Sequence, residues 1–202
     1  MWVVKLGGSL NQDASLPQWL DLLAELGGGR VIVVPGGGAF ADQVRDAQSH
    51  WQFDDLVAHN MAVLGMAQTA LMLQGLCPAL QAAAGEQPLR RVLKGGQTAL
   101  WLPLDLLRSR PDELTTWDTS ADSLALWLAQ RLHAERLLVV KSCAIDGRLT
   151  LSQLGDAGVL DAGFAQRARQ AAFPIDLLHK GELARARALL LDESLSCRPF
   201  AG

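Results

Sequence analysis

Cysteine is scarce: Cys77, Cys143 and Cys197 are an odd number, far apart, with no C-x-x-C pair among them. That spacing suggests neither a disulfide framework nor a zinc site, and the three read as reduced core residues. Clusters of lysine and arginine are missing too, and the formal net charge is -3. Nucleic acid and anionic membranes, which bind through such clusters, are therefore not expected as partners. The amino terminus has an apolar run of only about three residues before Lys5, too short for the h-region of a secretory signal, so a cytoplasmic protein is expected. No G-x-x-x-x-G-K-[ST] occurs, which excludes a P-loop nucleotide site as far as a motif can.

What is present is a chain of 202 residues, 50% hydrophobic and 19% charged, enough to bury one core. A single domain over 1–202 is expected. Apolar runs at 2–6, 30–34, 137–140 and 175–178 read as buried strands, with 91–93 and 99–102 as further candidates. Helical patterns fall at 17–26, 40–48, 54–76, 120–133, 164–172 and 182–191. This alternation predicts an α/β fold, a three-layer α/β/α sandwich with a mostly parallel central sheet and ligands at the carboxyl ends of its strands. Residues 61–84 are long and almost uncharged, but Gln68, Thr69, Gln74 and Gln81 interrupt them. They read as a buried helix broken near Pro78 rather than a membrane span.

Four segments could carry chemistry. In Lys5-Leu6-Gly7-Gly8-Ser9, a lysine near a strand end precedes glycines that let backbone N–H groups converge on an anion, although an ordinary turn would look the same. In residues 31–38 a strand runs through Pro35 into Gly36, Gly37 and Gly38 before a helix. That arrangement aims free N–H groups and the positive end of the helix dipole at one spot. The same stretch fits the dinucleotide fingerprint as Gly36-x-Gly38-x-x-Ala41, yet the acidic residue that should end a second strand is absent, since Asp54 and Asp55 open a helical segment. In residues 116–125, Thr119 and Asp122 fit a capping box with Asp in place of Glu or Gln. A carboxylate at a helix start could equally orient a lysine or a metal ion. The fourth segment, Val139 through Lys141, Ser142, Asp146 and Gly147, is a strand ending in a polar turn.

In this order the four segments resemble the amino acid kinase superfamily, and the likeness spans nearly the whole chain. Its V-x-K-x-G-G-S opening is matched at residues 3–9, and its G-G-G turn at Gly36, Gly37 and Gly38. Its N-x-D-x-x-A segment is matched over 118–125 with Asp122 at the aspartate, and its T-D-V-x-G strand end over 139–147 with Lys141 and Ser142 substituted. The resemblance implies ATP as donor, a Mg²⁺ ion held chiefly through ATP oxygens, a small acidic metabolite as acceptor, and a homo-oligomer. It implies that Lys5 stabilises the phosphoryl group in flight and that Asp122 orients Lys5. Gly7, Gly8, Ser9, Lys141, Ser142, Asp146 and Gly147 would hold ATP phosphates. Gly36, Gly37, Gly38, His59 and Asp118 would hold the acceptor. The family's second lysine, in G-G-M-x-x-K, has its nearest match at Arg167, a planar fork in place of a point charge. The acceptor-side half would be about 1–110 and the nucleotide-side half about 111–202, in family terms.

Within the family, the short length, Asp55-x-x-Ala58-His59 and Val159-Leu160-Asp161 resemble the small aminomethylfuran phosphate kinases of methylofuran synthesis, a cofactor pathway. His59 reads either as a satisfied core histidine or as a ligand of an acceptor phosphate. Trp117 offers an aromatic acceptor wall or core packing. Two other functions stay in view: a nucleotide-binding or storage protein that kept the fold without the chemistry, and an NAD-dependent oxidoreductase resting on Gly36, Gly38 and Ala41.

Overall fold

In the computed structural model, residues 1–191 are described. Trp2–Leu6 forms β1 and Val31–Pro35 forms β2. β3 is Leu80–Ala83, β4 is Thr98–Trp101, β5 is Arg136–Lys141 and β6 is Ile175–His179. All pairings are parallel, and the sheet runs β3-β4-β2-β1-β5-β6. The order reverses at β1, where the chain steps one way to β2 and later returns on the other side as β5. A crevice opens at such a switch point beyond the carboxyl ends of the strands.

The helices cover both faces because parallel strands need crossovers. They are α1 (Leu16–Leu26), α2 (Gly38–Trp51), α3 (Asp55–Leu76), α4 (Glu86–Lys94), α5 (Ala121–Arg131), α6 (Leu151–Asp156), α7 (Ala162–Ala168) and α8 (Leu183–Leu190). Side chains alternate along each strand and so feed two separate cores. Val3, Ile32, Val139 and Leu177 pack with α5, α6 and α7. Val4, Val33, Val140 and Leu178 pack with α1 and α8. Strands buried on both faces read as the continuous apolar runs seen in the sequence.

Several expectations need correcting. Residues 91–93 lie in α4, where Leu89 and Leu93 are buried four apart between an acidic start and a basic end, a helical period that outweighs the short apolar run. The stretch beyond Pro78 is β3, hidden from the sequence by its alanines and glutamine, which have low strand preference. The helix over 151–156 was not expected, although Thr150 and Gln153 close a full capping box. α7 ends at Ala168, short of 172. Cys77 is buried but Cys143 is exposed on the turn after β5, so it is not a core residue, and Cys197 lies outside the described residues. α3 is long and apolar enough to cross a membrane, and 44% of its most apolar stretch is buried inside the fold.

Candidate functional site

The strand alternation that builds the two cores also aims two lysines the same way. Lys5 shares the face of Val3, and Lys141 shares the face of Val139, the residue paired with Lys5 in the β1–β5 register. Both ammonium groups therefore point to the layer holding α5. There Asp122, in the first turn of α5, meets Lys5 Nζ at 2.5 Å through Oδ1 and Lys141 Nζ at 2.7 Å through Oδ2. Lys5 and Asp122 are almost fully buried and Lys141 is largely so. The Oδ1 contact is an ion pair off hydrogen-bond geometry, whereas Lys141 donates a well-formed hydrogen bond to Oδ2.

Burial alone would raise the Asp122 carboxyl, but the two lysine charges outweigh it and hold it below the usual carboxylate range. Lys5 moves downward as well: desolvation is the larger influence on it, opposed by the charge of Asp122 and reinforced by that of Lys141. The result is a dry, positive point at the switch of the sheet.

The two glycine turns meet beside it. A Cβ at Gly8 would lie 2.3 Å from the Gly38 nitrogen, and one at Gly36 would lie 2.3 Å from the Gly8 nitrogen, so the turns press backbone on backbone. Gly38 adds a left-handed φ of 53°, which favours glycine. Not every amide is available to an anion. Gly7 N–H donates to Val140 O and Gly36 N–H to Leu6 O, so these two amides continue the sheet pairing. The first-turn N–H groups of α2 have no carbonyl within the helix to bond, and no side chain caps that end. They carry the positive end of the helix dipole toward the cleft.

Lys5, Lys141, Asp122, Gly8, Ser9, Gly36, Gly37, Gly38 and His59 all line one cavity of about 480 Å³. His59 is partly buried with Nε2 3.0 Å from the Leu106 carbonyl, so it is anchored as well as facing the cavity. Trp117 forms another wall, held by its Nε1–H donating to Gln48 Oε1 at 2.5 Å and by the Arg45 guanidinium 4.8 Å from its ring centre. Asp42 and Asp55 lie at the same rim.

Other expected site residues lie elsewhere. Arg167 does not line the cavity; its Nη2 donates to the Glu113 carbonyl at 3.0 Å. The second charge on Asp122 comes from Lys141 instead. Asp118 also lies outside the lining; its side chain is exposed and its carbonyl accepts the Gly163 N–H. Ser142 Oγ sits 2.6 Å from Ser9 Oγ, linking the turns after β1 and β5. Asp146 is held by Arg148, which lowers its carboxyl to about 2, and Gly147 has open space around it. Neither lines the cavity. The N-cap of α5 is Ser120, whose Oγ accepts the Asp122 N–H. Thr119 is thus not the cap; its buried hydroxyl has no hydrogen-bond partner in a residue that lines the cavity.

Arg45 has no place among the residues that the sequence singles out, and Thr119 stands there only as a candidate helix cap, although both line the cavity. Arg45 had a signal, since Gly38, Ala41, Asp42 and Arg45 follow helical spacing on the α2 face leading from the glycine turn. The dinucleotide reading finds no support: Asp54 caps α3 directly, and no strand intervenes between α2 and α3 to carry a ribose-binding acid.

The fold and the fingerprint segments have counterparts. Among solved structures, a UMP kinase from Bacillus anthracis superposes with a TM-score of 0.69 at 18% identity, covering 95% of this chain and 91% of that one. Uridylate kinase from Archaeoglobus fulgidus does so with a TM-score of 0.69 at 15% identity, covering 94% and 95%. An isopentenyl phosphate kinase gives 0.64 at 12%, covering 96% and 98%. In sequence, the chain is 26% identical over 148 residues to [5-(aminomethyl)furan-3-yl]methyl phosphate kinase of Methanocaldococcus jannaschii, covering 73% of this chain and 67% of that relative. The family model for the amino acid kinase family matches residues 1–144, the part of the chain that carries Lys5, the glycine turns, Asp122 and Lys141, and the chain belongs to that family.

Proposed function

We propose that the protein transfers the γ-phosphoryl group of ATP to the phosphate of a small phosphomonoester, releasing ADP and a diphosphate ester. The observation that supports this most is one buried carboxylate holding two ammonium groups at the end of the cavity. The transferring group spreads negative charge over its oxygens, and catalysis consists largely of positioning and neutralising that charge. Lys5 and Lys141 provide the cations, Asp122 keeps them apart and aligned, and Ser9 with the Gly8 backbone borders the donor side. The amides at the start of α2, with His59, would hold the acceptor phosphate. The P–O bond to ADP breaks as the acceptor oxygen bonds to phosphorus. That oxygen is already anionic, so no general base is needed, which accords with Asp122 being committed to its two lysines.

A Mg²⁺ ion arriving with ATP would supply further neutralisation of the phosphate charge. Among the described residues no group of three His, Cys, Asp or Glu side chains converges on one point, so the ion would be held mainly by ATP itself. The acceptor-side half is about 1–110 and the nucleotide-side half about 111–202 of one domain, working in the cytoplasm. Val57, Leu64 and Leu71 repeat every seven residues on the exposed face of α3, and this apolar stripe supports a homo-oligomer. Leu71→Lys should then lower the mass seen by light scattering.

The acceptor is of the aminomethylfuran phosphate kind, a ring carrying both a phosphate and an ammonium group, which would suit a role in cofactor biosynthesis. Trp117, Val63 and Met66 supply flat apolar walls, and Asp42 and Asp55 lie at the rim. Incubation with Mg-ATP and a panel of phosphomonoesters should yield ADP only with ring-bearing acceptors. Trp117→Ala should raise the acceptor KM about 5-fold with little change in the KM for ATP, in line with ~1 kcal/mol of ring contact. ATP binding without turnover on any phosphomonoester would favour a binding or storage protein instead.

A further inference from the structure

α7 begins at Ala162, yet Asp161, the residue in its capping position, gives that helix no side-chain bond. Its carboxylate reaches back to α5. Oδ2 accepts the Ser120 N–H at 3.1 Å, the Ser120 hydroxyl at 2.7 Å and the Ser123 N–H at 2.9 Å, while Oδ1 accepts the Ser123 hydroxyl at 2.5 Å. Ser123 is fully buried. Four donors nearly fill the acceptor capacity of a carboxylate, and the Ser123 amide is one of the first-turn N–H groups that a helix cannot satisfy by itself.

We propose that Asp161 is a positioning residue of the kinase site, fixing the first turn of α5 and, through it, the Asp122 carboxylate between the two lysines. Having donated its proton to Asp161, the Ser120 hydroxyl is left to accept, and it accepts the Asp122 N–H at 3.2 Å. A relay therefore runs from Asp161 through Ser120 to the backbone of Asp122. The two segments are tied a second time by Gly163 N–H to the Asp118 carbonyl at 3.1 Å. A Cβ at Gly163 would lie 2.9 Å from that oxygen, so side chains larger than hydrogen are kept out. Asp161 also acts through its charge. The charged groups near Lys5 are Asp122 from α5, Lys141 from β5 and Asp161 at the start of α7, and the last helps Lys5 keep its proton against desolvation.

The inference rests on the kinase reading, but part of its test does not need turnover. Asp161→Asn keeps the shape and removes the charge; Asp161→Ala removes the whole anchor; Ser123→Ala removes one hydrogen bond. Lysine ¹³Cε resonances, assigned with Lys5→Arg and Lys141→Arg, would report the Lys5 titration in each full-length protein. In Asp161→Asn, Lys5 should titrate at lower pH than in the parent, and the alkaline limb of kcat should move down with it. Asp161→Ala should lose about 10-fold or more in kcat, since small misplacements of catalytic groups are costly, while the KM for Mg-ATP changes less. Asp161→Glu should not restore kcat, because its extra methylene displaces the α5 turn. If Asp161→Ala fails to fold, Asp161→Asn and Ser123→Ala still decide the matter. An unchanged Lys5 titration together with unchanged kcat in a folded Asp161→Asn would overturn the proposal. If the parent protein transfers no phosphate, the kinase reading fails, and the titration still settles whether Asp161 governs Lys5.

Discussion

Asp122→Asn should both destabilise the protein and abolish turnover, the largest combined effect expected of any single substitution in the cleft. Asp122 is 3% exposed and touches two ammonium groups. Neutralising it leaves two like charges side by side in a poorly solvated place. Removing one partner of a buried ion pair costs about 3–5 kcal/mol, and here the loss is shared by two cations. Lys5→Met should behave differently. It deletes a buried charge but leaves Asp122 paired with Lys141, so the fall in melting temperature should be the smaller of the two. Its kcat should nevertheless drop by about 10²-fold or more, the usual loss when a donor to the developing charge is removed. Thermal melts beside steady-state kinetics would separate the two cases. Equal destabilisation by both substitutions would contradict the bridging role of Asp122.

The signs of the pH dependence follow from the same geometry. The Asp122 carboxyl is held below its ordinary 3.8, so its stabilising contribution is complete above that value and is lost as pH falls through the lower folded value. Lys5 is held below 10.5. Its protonated form therefore carries a cost in the folded state below the folded value, and the cationic site it provides is lost as pH rises through that value. The alkaline limb of activity should accordingly lie below the ordinary lysine range.

Lys141→Met should lower kcat by about 10²-fold, whereas Arg167→Met should leave it within about 2-fold, because only the first deletes a charge adjoining the transferring group. The sequence pattern of the family points to Arg167, and the geometry points to Lys141. Arg167 donates to the Glu113 carbonyl and is absent from the cavity wall. Kinetics in which Arg167→Met is the more damaging substitution would reverse this assignment.

The strands were legible because parallel strands are buried on both faces, so β1 and β2 stand out as unbroken apolar runs. β3 was not, since Leu80–Ala83 is half alanine and lies at the sheet edge. Lys5 and Asp122 were legible as a pair only through the family pattern, because they are far apart in sequence and meet by tertiary folding. Lys141 could have been placed by parity: two residues beyond Val139, it must share that residue's face. The motif match at Arg167 says nothing about where a short helix aims its charge, and here the side chain donates to the Glu113 carbonyl outside the cavity lining. The Asp161 anchor was invisible, since a carboxylate just ahead of one helix normally caps that helix and here caps another.

The transferring phosphoryl group should sit against the ammonium groups of Lys5 and Lys141, and a crystal structure with Mg²⁺, ADP and aluminium fluoride, which mimics the group in transit, would show whether it does. The fluoride should lie within hydrogen-bonding distance of both Nζ atoms, with Asp122 still between them and the α2 amides facing the acceptor position. A fluoride bound away from Lys5, or contacted by Arg167 in place of Lys141, would contradict it.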